Sequence, residues 1–294
     1  MQSNNPVFRR SEEFNRGGQN APSYGNQTYA GNGSAYPGYA NDPSQWGTGQ
    51  PGDQGYGLAA DGGRMTIDSV VQKTAMTLGV VVLAALATWV LTPDMDASGN
   101  AAAVFSAAMI GSLGAFALSM VNSFKRVISP ALVLAFAVLE GVALGAFSKV
   151  LDSYVATSTG ESSIVSSAVL GTMAAFAGTL AAYKFFDIKV GDKFRKGVMA
   201  AMFGMVGLAG MSLVLSLFGV NTGLFGFGVL GVITAVVGLV LGVFMLIMDF
   251  DFVEKGIANG LPERESWRAA FAMTVSLVWI YTNLLRLLAI FSSD

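Results

Sequence analysis

The sequence predicts an all-α integral membrane protein, a bundle of seven transmembrane helices behind a disordered N-terminal extension. Three observations lead there. The chain is 53% hydrophobic and 12% charged, whereas a soluble domain carries about a quarter charged residues. Apolar stretches long enough to cross about 30 Å of hydrocarbon recur between short polar connections. Basic residues gather on every second connection, as loops on one side of a membrane do.

Composition also closes several functions. The chain has no His and no Cys, which removes disulfides, thiol nucleophiles, imidazole bases and His-ligated metals. Seventeen basic residues nearly balance nineteen acidic ones, so net charge points to neither nucleic acid nor a polybasic anchor. Met1 is followed by a polar stretch with no apolar core in the first 30 residues, so no secretory signal is expected and a spanning helix is the first membrane signal.

Residues 1–63 are rich in Gly, Asn, Ser, Gln and Pro and hold Tyr24, Tyr29, Tyr36, Tyr39 and Tyr56. Such a segment buries too little apolar surface to offset its ordering entropy, so disorder is expected there. It is read as a solvated cytoplasmic extension, with a tyrosine-bearing interaction tail as the functional alternative. Residues 64–294 form the membrane domain, with spans at about 71–92, 102–121, 130–150, 164–183, 197–218, 224–250 and 267–291.

Charge orients these spans. Arg9, Arg10, Arg16, Arg64 and Lys73 precede or open the first, Lys125 and Arg126 follow the second, and Lys184, Lys189, Lys193, Arg195 and Lys196 follow the fourth. Lys255, Arg264 and Arg268 lie between the sixth and seventh. The other connections hold Asp94, Asp96, Asp152 and Glu161, or no charge. The N terminus is therefore expected in the cytoplasm and the C terminus outside a plasma membrane. Gly141 and Gly145, Gly238 and Gly242, and Gly204, Gly207 and Gly210 recur at helical spacing. Small residues so placed let helix backbones approach, and they predict a compact bundle rather than a pore.

Charges inside spans carry the functional expectation. Glu140 lies about ten residues into the third helix, near the midplane. An ionised carboxylate facing lipid there costs several kcal/mol, so Glu140 should face the interior. Two roles stay open for it, a neutral acid bonded to a neighbouring helix and a proton- or cation-responsive group. Asp249 and Asp251 break the sixth apolar run and are expected nearer the cytoplasmic edge. Residues two apart on a helix point about 200° apart, so only one of them faces the interior. Asp249 is the candidate. Arg286 and Asn283 near the end of the last helix are candidates for a structural clamp, Arg286 either reaching the headgroups or holding an acid.

The seven-helix layout, Leu139-Glu-Gly-Val-Ala-Leu-Gly145, Asp249-x-x-x-Val253-x-x-Gly256 and Leu284-Leu-Arg-Leu-Leu288 together resemble the transmembrane Bax inhibitor motif family, also called Bax inhibitor and YccA-like, in its actinobacterial-type branch. The resemblance covers residues 65–294. It implies six helices around a central one and a pH-sensitive calcium leak across the membrane. It also implies that the acid matching Asp249 shares protons with an acid in the seventh helix. This chain departs from that pattern, because Trp267 to Ser293 contains no Asp or Glu and the matching position falls near Ser276. Asp251, Glu140 and Glu263 are the available substitutes. Lipid, calcium or protons, and a membrane protease are the partners implied, with no cofactor beyond transient calcium. The alternative is a non-conducting interaction protein that modulates a membrane protease or stress response. No enzyme is expected, since a retinal protein needs a helix-seven Lys and aspartyl proteolysis needs two facing acids.

Overall fold

The computed structural model describes residues 63–93, 101–159 and 164–293, and in these it is all helical apart from one isolated backbone bridge. The expected tail and the loop acids Asp94, Asp96 and Glu161 lie outside the described residues. Seven helices follow in order: α1 (Ile67–Leu91), α2 (Ala101–Phe124), α3 (Pro130–Thr159), α4 (Ile164–Phe185), α5 (Asp192–Leu217), α6 (Val229–Ala258) and α7 (Glu265–Ser293). All seven are long and apolar enough to cross a membrane. The end at which α1, α3, α5 and α7 begin carries most of the cations and is called the basic end below.

Local chemistry sets the boundaries at that end. Thr66 caps α1 in a reciprocal capping box with Ser69, which satisfies amides that have no intrahelical acceptor. Helix α6 does not stop at residue 250 as its apolar run suggested; it continues to Ala258. Its stop is a Schellman motif at Gly260, which adopts φ 65°. The Gly260 amide donates to the Ile257 carbonyl and the Leu261 amide to that of Gly256, both at 3.0 Å. Only a residue without a Cβ takes this left-handed conformation without strain. Pro262 follows.

Helix α7 is the hub, packed against α6, α1, α3 and α4. The resemblance implied six helices around a central one, but α2 packs mainly on α3, and α5 mainly on α6. These two form an outer layer whose large apolar side chains, such as Phe105, Ile110, Phe203 and Leu213, are exposed. In a bilayer those faces meet lipid, which is as apolar as they are.

The glycine patterns separate accordingly. A Cβ on Gly141 or Gly145 would strike the α1 backbone at Val81 or Ala85. One on Gly238 or Gly242 would strike Asn283 or Ile280 of α7. These glycines hold the close helix pairs predicted for them. Gly204, Gly207 and Gly210 differ, since nothing lies within 4 Å of a Cβ at any of the three. Among the described residues the compact packing expected of α5 is not formed, because its only sizeable neighbour there is α6.

The segment just before α1 packs onto the helices. Met65 donates its amide to the Leu261 carbonyl at 2.7 Å, and Glu263 donates its amide to the Gly63 carbonyl at 2.8 Å. Met65 is only 2% exposed and joins the largest core cluster with Leu246, Phe250 and Leu277. Lys73 of α1 pairs with Glu263 at 2.8 Å. At the opposite end Lys149 is buried and donates to the carbonyls of Trp89 (3.0 Å) and Thr92 (2.6 Å). A cation there meets the negative end of the α1 dipole and two acceptors the helix leaves unpaired.

Candidate functional site

One face of α6 meets one face of α7 from Gly231 to Asp249. Running antiparallel, Gly231 meets Ile290, Thr234 meets Arg286, Gly238 meets Asn283 and Gly242 meets Ile280. The next member of this stripe is Asp249, which meets Ser276. Spacings of three, four, four and seven residues keep all of them on one side of α6. The Ser276 hydroxyl donates to Asp249 Oδ2 at 2.5 Å, and Ser276 has no exposure to solvent. The carboxyl that heads the sequence-based candidates is thus aimed at the hub helix, as expected, and its contact there is a hydroxyl.

Its depth differs from expectation. Nine residues of helix follow Asp249 before α6 ends at Ala258, about 13 Å at 1.5 Å per residue. Glu140 lies ten residues inside α3, about 15 Å by the same rise. The two acids are therefore at similar depth rather than at the edge and the midplane respectively. The register of α3 on α7 agrees: Phe136 stacks edge-on against Phe271, and the Ser148 and Tyr281 hydroxyls are 2.7 Å apart. Glu140, between these contacts on α3, is level with residues 274–276. It is partly buried and, among the described residues, has no hydrogen-bond or ion-pair partner. The bonded-neighbour role left open for it is not observed.

Asp251 points elsewhere, as helical geometry required. It is 4% exposed and accepts from Arg195 of α5 at 2.9 Å, with Lys255 also 2.8 Å away. It is a buried ion-pair centre that ties α5 to α6, not a free interfacial charge. Glu263 is taken up by Lys73.

The clamp residues act on α6. Asn283 is buried, donates to the Trp279 carbonyl of its own helix at 2.8 Å, and fills the space above Gly238. Trp279 Nε1 donates to the Gly238 carbonyl at 2.8 Å. Arg286 reaches Thr234 at 3.4 Å and lies 5.1 Å from the Phe225 ring centroid. It holds no acid among the described residues. Instead it steadies the start of α6, where Thr234 also donates to the Leu224 carbonyl.

No two of Asp249, Asp251, Glu140 and Glu263 form a carboxyl pair among the described residues, and no group of three acids is placed to hold a metal ion there. The shared-proton pair implied by the resemblance is not formed among the described residues; Asp249 meets the Ser276 hydroxyl of α7 instead. In the sequence Ser276 stands out only as lying near the position where the resemblance implies an acid. A readable signal did exist, since Ser276 and Asn283 lie seven residues apart, as do Gly242 and Asp249, so each pair shares a face.

Seven apolar helices, one of them a hub for four others, with a carboxyl held between two of them, define a multi-pass integral membrane protein. The chain belongs to the Bax inhibitor family: the family model described as "Bax inhibitor 1 like" matches residues 5–293. No curated protein matches the chain.

Proposed function

We propose that the protein is a cation leak pathway, with calcium as its principal ion, in which the carboxyl of Asp249 is the polar station between α6 and α7. The observation that carries this reading is the Asp249–Ser276 contact, a carboxyl and a hydroxyl meeting deep within spanning helices. Acids at such depth are costly and are retained for ion or proton handling. Carboxyl and hydroxyl oxygens are the hard ligands calcium takes, but one carboxylate among six to eight ligands makes weak, passing coordination. Glu140, level with Asp249 on the other side of α7, is a second station on the same reading. No enzymatic role is assigned. Cations are read as moving across a plasma membrane, with the basic end in the cytoplasm.

The test is reconstitution of the full chain in liposomes loaded with a calcium-sensitive dye. Asp249→Asn is expected to cut the calcium flux several-fold and Glu140→Gln by less. Unchanged flux in both variants would remove the leak reading.

A second reading, an interaction protein acting on a membrane protease or stress response, draws on the backbone pairing of Gly63–Met65 with the α6–α7 connection. That pairing gives the tail a mechanical hold on the hairpin that contains Asp249. Deleting residues 1–62 discriminates the two: loss of partner capture with calcium flux intact favours the interaction role.

A further inference from the structure

We propose that the end of α4, the α4–α5 connection and the first two turns of α5 form a binding surface for anionic phospholipid headgroups. Lys184, Lys189, Lys193 and Lys196 are all exposed there. Three acids border the surface. Glu254 of α6 is exposed and accepts from the Tyr183 hydroxyl in the last turn of α4. Asp187 is 3.3 Å from Lys189, with both side chains more than 80% exposed, and such a pair contributes little. Asp192 is exposed with no ion pair among the described residues. Arg195 is turned inward onto Asp251, which leaves the four lysines as the cations presented outward.

Local stability does not account for this charge. Lys193 and Lys196 lie in the opening turns of α5, where the helix dipole disfavours cations. They are three residues apart, a spacing at which like charges repel. An external anion relieves both costs.

The aromatic pair beside them selects the kind of anion. Phe185, the last residue of α4, and Phe186, just beyond it, are 82% and 78% exposed. They stand where a spanning helix leaves the hydrocarbon, so their rings meet acyl chains at the depth where the lysines meet headgroups. A soluble acidic peptide or free phosphate uses the lysines but has no use for the two rings. The surface is also held in shape. Asp187 turns the chain at φ 47°, Ile188 donates its amide to the Tyr183 carbonyl at 3.3 Å, and Val190 is buried beneath the connection. Arg195, between Lys193 and Lys196, connects the surface to α6 two residues from Asp249.

Native mass spectrometry of the detergent-purified full chain tests this, by titration with phosphatidylglycerol and phosphatidylcholine of the same acyl chains. Phosphatidylglycerol is expected to bind roughly tenfold more tightly or better, since each lysine near an anionic surface is worth about a fivefold factor before screening. The preference should shrink with added salt. The triple variant Lys184→Gln/Lys193→Gln/Lys196→Gln should lose it, while Lys125→Gln keeps it. Equal affinity for the two lipids, a preference that survives the triple substitution, or displacement of phosphatidylglycerol by millimolar inorganic phosphate would each overturn the proposal. An independent check is Phe186→Trp in vesicles with brominated acyl chains, where quenched fluorescence is expected and an unquenched indole counts against it.

Discussion

Asp249 and Ser276 illustrate how much a single contact changes the chemistry of a residue. Two close carboxyls titrate as a coupled pair, because one ionisation opposes the other. A carboxyl against a hydroxyl has one proton to gain or lose. If flux depends on pH, the dependence should therefore follow a one-proton curve and vanish in Asp249→Asn. A curve steeper than one proton would show that a second acid is coupled to Asp249. Ser276→Ala keeps the volume nearly constant and removes the donor. It should lower stability in detergent by about 1 kcal/mol, the usual scale for a polar contact between membrane helices, and shift the flux–pH curve measured in liposomes. A shift in stability alone would assign Ser276 to packing.

At the scale of the element, the same small residue has opposite meanings on different helices. Gly141 of α3 lies against the α1 backbone, so Gly141→Leu must push the two helices apart. Overpacking of this kind costs about 1–3 kcal/mol or more, and a clear drop in the melting temperature of the detergent-solubilised protein is expected. Gly204→Leu on α5 meets open space and replaces a poor helix former with a good one. Its melting temperature should stay the same or rise slightly; a large drop would mean that this face is packed in the membrane. Helix α6 shows a related separation of roles. One stripe of Gly231, Gly238, Gly242 and Asp249 faces α7, while Asp251, on the other side, holds Arg195 of α5. Only the first stripe was readable beforehand, because its period lies within one helix. The partner of Asp251 comes from a residue 56 positions away.

Across the whole molecule, the short segment before α1 joins the start of the described chain to the α6–α7 connection. Composition puts the end of the polar extension at residue 63, and Gly63 and Met65, among the first described residues, bond to the α6–α7 connection. A chain starting at Gly63 should melt as the intact protein does. A chain starting at Ile67 loses Met65 from the core and the cap of Thr66. Removing a buried methionine side chain costs about 2–5 kcal/mol and a cap about 1 kcal/mol, so a distinctly lower melting temperature is expected in a thermal-shift assay. Equal melting temperatures for the two truncations would mean that the clasp adds nothing to stability.

Sequence alone determined the seven spans, their order, the tight glycine pairs and the candidacy of Asp249, because each rests on composition or on a period within one segment. Hydropathy is a property of about 20 consecutive residues, and a helical face is a property of spacing. The tertiary structure alone decided that α6 runs on to Ala258, that Asp249 and Glu140 share a depth, that α5 stands at the rim and that Ser276 completes the Asp249 site. Each of these depends on which surfaces of separate helices meet, and that is settled by packing and by pairing of distant charges rather than by any local pattern. The missing acid of α7 was visible in the sequence; that a serine hydroxyl occupies its place against Asp249 followed only once the two helices were set side by side.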